Sequence, residues 1–319
     1  MPASTEHIRN VAIELNAVVV ALIDGAPHVL TLDDGARLPS GPFESDHPTL
    51  QTGLRAWVER QTRHPLGYTE QLYTFADRNR ADESGRRIVS ISYLALTREQ
   101  VEAGRREPGW QDWYRYFPWE DWRAGSATPL LRTLLKGLQH WAEAAPDATT
   151  KRLRRQRVDI DFDARAWNED LVLQRYELLY EAGLVAEAIA TRAGRARRPL
   201  THALPPTDGG MAMRHDHRRI LATGIARLRA KIKYRPVVFE LMPPDFTLGQ
   251  LQASVEALAG RPLHKQNFRR LIEQQGLVEE TGATTAETGG RPAKLYRFKR
   301  EILLERAVAG SKLPLARPA

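Results

Sequence analysis

The sequence predicts an α+β fold in two domains, and three observations predict it. The length, 319 residues, is enough for two units that each bury a core. The first hundred residues mix strand-type and helix-type apolar patterns. Residues 215–298 order three helical segments ahead of a short hairpin.

The N-terminal elements follow from local pattern. Between Val11 and Leu32, short apolar runs flank the turn pair Asp24-Gly25, which predicts a β-hairpin. Residues 38–48 are rich in Gly, Pro and Ser and predict a loop. Leu50, Leu54, Trp57 and Val58 recur at helical spacing and predict a helix over 49–62. Residues 70–75 and 88–96 read as two further strands. Four of the seven tryptophans fall within 108–123, a concentration that predicts a packed aromatic corner because large rings mainly supply core area. Helices are expected over 130–144 and 168–190. The basic runs at 151–157 and 191–199 read as solvated surface or linker. Pro199, Pro205, Pro206 and Gly209-Gly210 mark the best linker, so the expected division is 1–200, a linker at 201–213, a unit at 214–300 and a tail at 301–319.

Charge is uneven between the two halves of the chain. Residues 1–150 hold 16 Lys/Arg against 20 Asp/Glu, and residues 151–319 hold 31 against 19, so the two stretches carry about −4 and +12. A cationic second half points to a polyanion, since clustered lysines and arginines release counterions from phosphate backbones. The absence of cysteine excludes disulfides, thiolate zinc sites and cysteine nucleophiles, and the nine histidines show no metal-ligand spacing. No apolar run approaches the roughly 18 residues of a membrane helix and the first residues lack signal-peptide blocks, so a cytoplasmic chain without membrane contact is expected.

The C-terminal pattern is specific in its order. Leu221, Ile225, Leu228 and Ile232 mark one face of an amphipathic helix over 215–233. Thr247 and Gln250 have capping-box spacing after Pro243-Pro244, and Leu248, Leu251, Val255 and Leu258 form the buried face of the helix they open. Gly260 and Pro262 end it. In the next helix, 264–275, Phe268, Leu271 and Ile272 face inward and leave Lys265, Gln266, Asn267, Arg269 and Arg270 outward. Arg and Lys suit guanine edges or phosphate, and Asn and Gln suit adenine, so this helix has the chemistry of a major-groove reader. Two short strands around 289–294 place Arg291 and Lys294 on a basic wing beside the backbone. The whole is a winged helix-turn-helix pattern for double-stranded DNA.

Residues 41–63 resemble the Nudix box, the loop-helix-loop whose glutamates hold a divalent metal over a diphosphate. Gly41, Arg55 and Glu59 stand at the matching positions. His47, Ala56 and Arg60 replace three of its four glutamates, and Thr62 replaces its last glycine. A divalent cation needs anionic oxygens to offset its dehydration, and one glutamate beside Arg60 offers little. No catalytic residue, no metal and no cofactor are therefore expected.

Residues 70–75, 88–96, 268–270 and 290–298 carry a further resemblance, to the NrtR-like Nudix-related regulators of NAD metabolism, with 108–200 closest to the NadQ variant. That resemblance implies a Nudix-like α/β/α sandwich followed by a winged helix, in a homodimer that represses NAD biosynthesis genes from a palindromic operator. It also implies a nucleotide effector such as ADP-ribose, NAD or ATP in the Nudix-like domain, for which the candidate residues are Arg55, Glu59, Tyr73, Phe75 and Arg86. The alternative is an active Nudix hydrolase with an appended nucleic-acid-binding module.

Overall fold

The computed structural model describes residues 11–76, 86–98, 109–125, 129–163, 165–193, 209–233, 237–286 and 292–299. Its centre is the strand β1 (Ala12–Ile23), apolar on both faces and buried from Leu15 to Ala21. It turns through Asp24 and Gly25, both at positive φ, into β2 (Ala26–Leu30), as an Asp-Gly hairpin demands. The first half of β1 also pairs with β3 (Ser40–Pro42), while β5 (Ile88–Leu96) runs parallel to β1 on its other side. With β4 (Tyr68–Phe75) and β6 (Trp110–Asp112) on the two edges, the order is β4-β5-β1-β2-β6.

Alternation along β1 sends Leu15, Ala17, Val19, Ala21 and Ile23 to one face and Val18 and Val20 to the other. The helix α1 (Leu50–Thr62) covers the first face with Leu54 and Val58. The helix α6 (His217–Ile232) covers the second so closely that a Cβ on Gly224 would lie 2.8 Å from Val18 Cγ1. The result is an α/β/α sandwich. It corrects one expectation: the 215–233 helix, assigned to the C-terminal unit from its amphipathic face, packs on the sheet. The C-terminal unit instead opens with the 3-10 turn Val237–Glu240.

Two further expectations change. The helix expected over 168–190 is two, α4 (Val172–Ala182) and α5 (Ala186–Ala193), because Gly183 at φ +79 caps the first in the left-handed region. The basic run 151–157 is a solvated surface, as expected, and lies on a regular helix, α3 (Ala148–Asp161), opened by Asp147 accepting from Thr150 N. The described part of the expected linker is not free chain: Met211 N donates to Arg115 O at 2.8 Å, and Gly210 lies against Tyr116. Residues 201–208 and the tail 301–319 lie outside the described residues. The expected helix over 130–144 is α2 (Pro129–Glu143), which packs with α3 and α4 over α6. No helix among the described residues is long and apolar enough to cross a membrane.

Candidate functional site

The C-terminal unit builds a helix-turn-helix from two caps. Thr247 and Gln250 close the predicted capping box at the start of α7 (Leu248–Ala259), and Gly260 at φ +73 ends it. After a four-residue connection, 261–264, α8 (Lys265–Gln275) begins, anchored by Phe268 and Ile272, each 1 % exposed, and ended by Gly276 in the left-handed region. Leu271, expected fully inward, is only partly buried. Lys265, Gln266, Asn267, Arg269 and Arg270 are all exposed, and none makes a hydrogen bond or ion pair among the described residues. Five polar and cationic side chains on one helix, held by nothing of their own, form a surface suited to base edges and phosphates.

The strands β7 (Val278–Thr285) and β8 (Ala293–Phe298) form the hairpin behind α8. Phe246 adds a third short partner by exchanging two backbone bonds with Tyr296, at 2.9 and 2.8 Å. The rings of Phe246 and Phe298 pack against each other at a tilt, with centroids 4.4 Å apart. Lys294 is exposed on the wing and lies 2.9 Å from both carboxylate oxygens of Glu280, and that bond raises its pKa. Arg291 lies outside the described residues.

The expected effector residues do not converge. Arg55 on α1 is occupied with the loop after its own helix: it donates to Leu66 O, to Gly67 O at 2.8 Å and to Thr69 Oγ1 at 3.0 Å. Glu59 is exposed on the same helix. Phe75 is buried on the opposite face of the sheet, in the cluster that α6 covers, with the Arg219 guanidinium 5.3 Å from its ring centre. Tyr73 is 58 % exposed and meets Phe75 edge-on at 5.0 Å. Arg86 stands exposed at the entry to β5. The physical reason is the thickness of the sheet: α1 and Phe75 have it between them.

Around the degenerate box, substitutions have become packing. Trp57 lies flat on Gly41, where a Cβ would stand 2.2 Å from the ring, and its indole donates to Pro42 O at 2.8 Å. Arg60 stacks 3.8 Å over the same indole. His47 lies against Gly53 and accepts from Glu44 N at 3.1 Å. The carboxylate set that would hold a divalent cation is thus not present on α1. Sequence reading missed one group, however: Glu44, Asp46 and His47, in the loop before α1, bring potential ligand atoms within 4.8 Å of one another. Their one- and two-residue spacing resembles no ligand motif.

A second missed group is buried. Glu120, 1 % exposed, accepts from Arg175 at 2.6 and 2.9 Å and from Arg229 at 2.6 Å. Burial pushes its carboxyl up, but the two guanidinium charges and their hydrogen bonds outweigh that, so it titrates below its ordinary value. Arg175 stacks on Trp167 at 3.8 Å within a shell that includes Trp113, Trp119 and Trp122, all buried. The tryptophan-rich segment therefore encloses a charged centre as well as supplying core.

Comparison with known proteins places the C-terminal unit. A family model described as the NrtR DNA-binding winged helix domain matches residues 238–298. The C-terminal unit is thus similar to NrtR winged helices over nearly all of its described length. Its start agrees with the turn at Val237 rather than with α6. The ADPR responsive transcriptional repressor NtrR of Acinetobacter baylyi is 45% identical over 83 residues, 26% of this chain, and only a third of that relative's length is matched. The whole chain shares the fold of Shewanella oneidensis NrtR, with a TM-score of 0.52 at 19% identity over 93% of this chain and 97% of that one. The same protein complexed with a 27mer DNA gives 0.50, at 19% identity over 93% and 98%. A MutT/nudix family protein from Enterococcus faecalis gives 0.51, at 15% identity over 92% and 89%. An α/β/α sandwich followed by a C-terminal unit is therefore a fold that these structures share.

Proposed function

We propose that this chain is a DNA-binding transcriptional repressor of NAD biosynthesis genes, in which the Nudix-like domain senses an adenine nucleotide without hydrolysing it. The observation that carries this reading is the outward row Lys265, Gln266, Asn267, Arg269 and Arg270 on the reading helix of an NrtR winged helix. ADP-ribose is the first effector to try, since the relative sharing 45% identity is named for its response to it; NAD and ATP share the adenosine diphosphate chemistry. The protein acts as a homodimer on a palindromic operator, because two copies of one reading helix double the sequence read. The effector shifts DNA affinity only by binding one arrangement of the two wings better than the other.

Selection of duplexes from a randomised library by the purified chain tests this, followed by gel shifts of the recovered sequence with ADP-ribose, NAD, NADH and ATP. A palindromic consensus whose complex responds to one of these nucleotides is expected. The hydrolase alternative draws on one observation, the Glu44, Asp46 and His47 group. Phosphate release from ADP-ribose with magnesium, after coupling to a phosphatase, decides it: no turnover above the protein-free rate is expected, and brisk turnover would replace the sensor reading.

A further inference from the structure

The end of α7 is held from outside its own domain. Ala257 O accepts from the Tyr114 hydroxyl at 2.6 Å, Leu258 O from Arg229 Nε at 2.9 Å, and Gly260 O from Trp122 N at 2.6 Å. Tyr114 and Trp122 belong to the tryptophan-rich segment and Arg229 to α6, so all three donors come from the body that carries the sheet. They meet carbonyls that a helix end leaves unpaired, at the negative end of its dipole. Contact is close enough that a Cβ on Gly260 would stand 2.2 Å from Glu120 O. Beyond the turn, Arg261 reaches Glu169 at 3.4 Å, and α8 starts four residues later.

Glu120 organises these donors. One of its oxygens meets Arg229 and the pair of them meets the Arg175 fork, with all three side chains at most 1 % exposed. A buried ion cluster of this kind contributes little net stability over an apolar filling of the same volume. What it does supply is direction, because a guanidinium is a rigid planar fork whose donors must point where their acceptors stand.

We infer that Glu120 is a positioning residue for DNA reading: through Arg229 it holds the C-terminal end of α7, and so the orientation of α8, against the Nudix-like body. This rests on the reading of α8 as the DNA-contacting helix. A rigid latch here carries any rearrangement of the sensor body to the reading helix without loss. A loose latch leaves the winged helix folded yet free to reorient, and the effector no longer controls it.

The chain has no cysteine, so a spin label on each of Gln156→Cys in α3 and Gln274→Cys in α8 reports the distance between body and reading helix in the full-length protein. The wild-type background should give one narrow distance distribution. Glu120→Gln should broaden it while circular dichroism stays unchanged. Its affinity for the selected duplex should fall about tenfold, and the response to ADP-ribose should be lost. An unchanged distribution in folded E120Q overturns the inference. Should E120Q fail to fold, Tyr114→Phe removes a single bond to Ala257 O and reads the same quantity: broadening supports the latch, and an unchanged width overturns it. Because the distance needs no DNA, a wild-type chain that binds no duplex would sink the proposed function while the latch is still decided.

Discussion

Asn267 and Arg269 stand exposed on α8, two residues apart on either side of the buried Phe268. Each has donors placed for a base edge and no partner among the described residues. Replacing either by Ala should therefore reduce the preference for selected over random duplex by about 1–3 kcal/mol if it reads a base. Equal loss on both duplexes, measured by fluorescence anisotropy, would put that residue on phosphate instead. Glu120 gives a different kind of test. Its folded pKa lies below the ordinary 4.5, so the stability it contributes is present above that pH and is lost as the pH falls through the lowered folded value. Urea midpoints of wild type and E120Q should differ most near neutrality and converge as the pH falls below 4.5. A gap that persists undiminished into strong acid would show that the carboxylate is not held by Arg175 and Arg229.

At the scale of elements, the two glycine caps of the helix-turn-helix look alike in backbone and differ in surroundings. Gly276, at φ +59, has open space, with Lys299 Nζ the nearest atom at 3.6 Å; Gly260, at φ +73, has Glu120 O at 2.2 Å. Gly276→Ala should cost about 1–2 kcal/mol of left-handed strain. Gly260→Ala adds a collision with backbone and should cost clearly more, which thermal unfolding of the two variants would compare directly. Equal shifts would mean that α7 does not press on the tryptophan-rich segment. The wing offers a second contrast. Lys294 is neutralised by Glu280, so Lys294→Ala should leave the salt dependence of DNA binding unchanged, whereas Lys265→Ala should lower the slope by about 1 if it meets phosphate. A slope reduced in both would show that the Lys294–Glu280 pair opens on DNA.

At the scale of the molecule, one apolar cluster runs without a break from Val18 in the sheet through Ile225 of α6 to Phe246 and Phe268 of the winged helix. The buried arginines Arg175, Arg218 and Arg229 beside it are each paired with a carboxylate. A continuous core argues against independent melting of the two units, so calorimetry should show a single cooperative transition in place of two. Two separated transitions would mean that the apolar joint around Val238 and Phe239 contributes little. The uneven charge of the chain takes its place in this arrangement: part of the C-terminal excess is exposed on α8, and part is spent inside, on Arg175, Arg218 and Arg229, each 0 % exposed.

Local sequence was enough to give the order of elements and the outward polar and cationic row of α8. The Asp24-Gly25 hairpin, the Thr247–Gln250 capping box and the Phe268/Ile272 spacing are signals contained within a few residues, and an element's period and caps are properties of that stretch alone. The loss of three box glutamates was legible for the same reason. Only the tertiary structure decided that α6 lies on the sheet, that Arg55 and Phe75 stand on opposite faces of it, and that Glu120 gathers Arg175 and Arg229 from 55 and 109 residues away. An amphipathic pattern tells that a face is buried and not against what, and a carboxylate among tryptophans does not reveal the distant partners that compensate it.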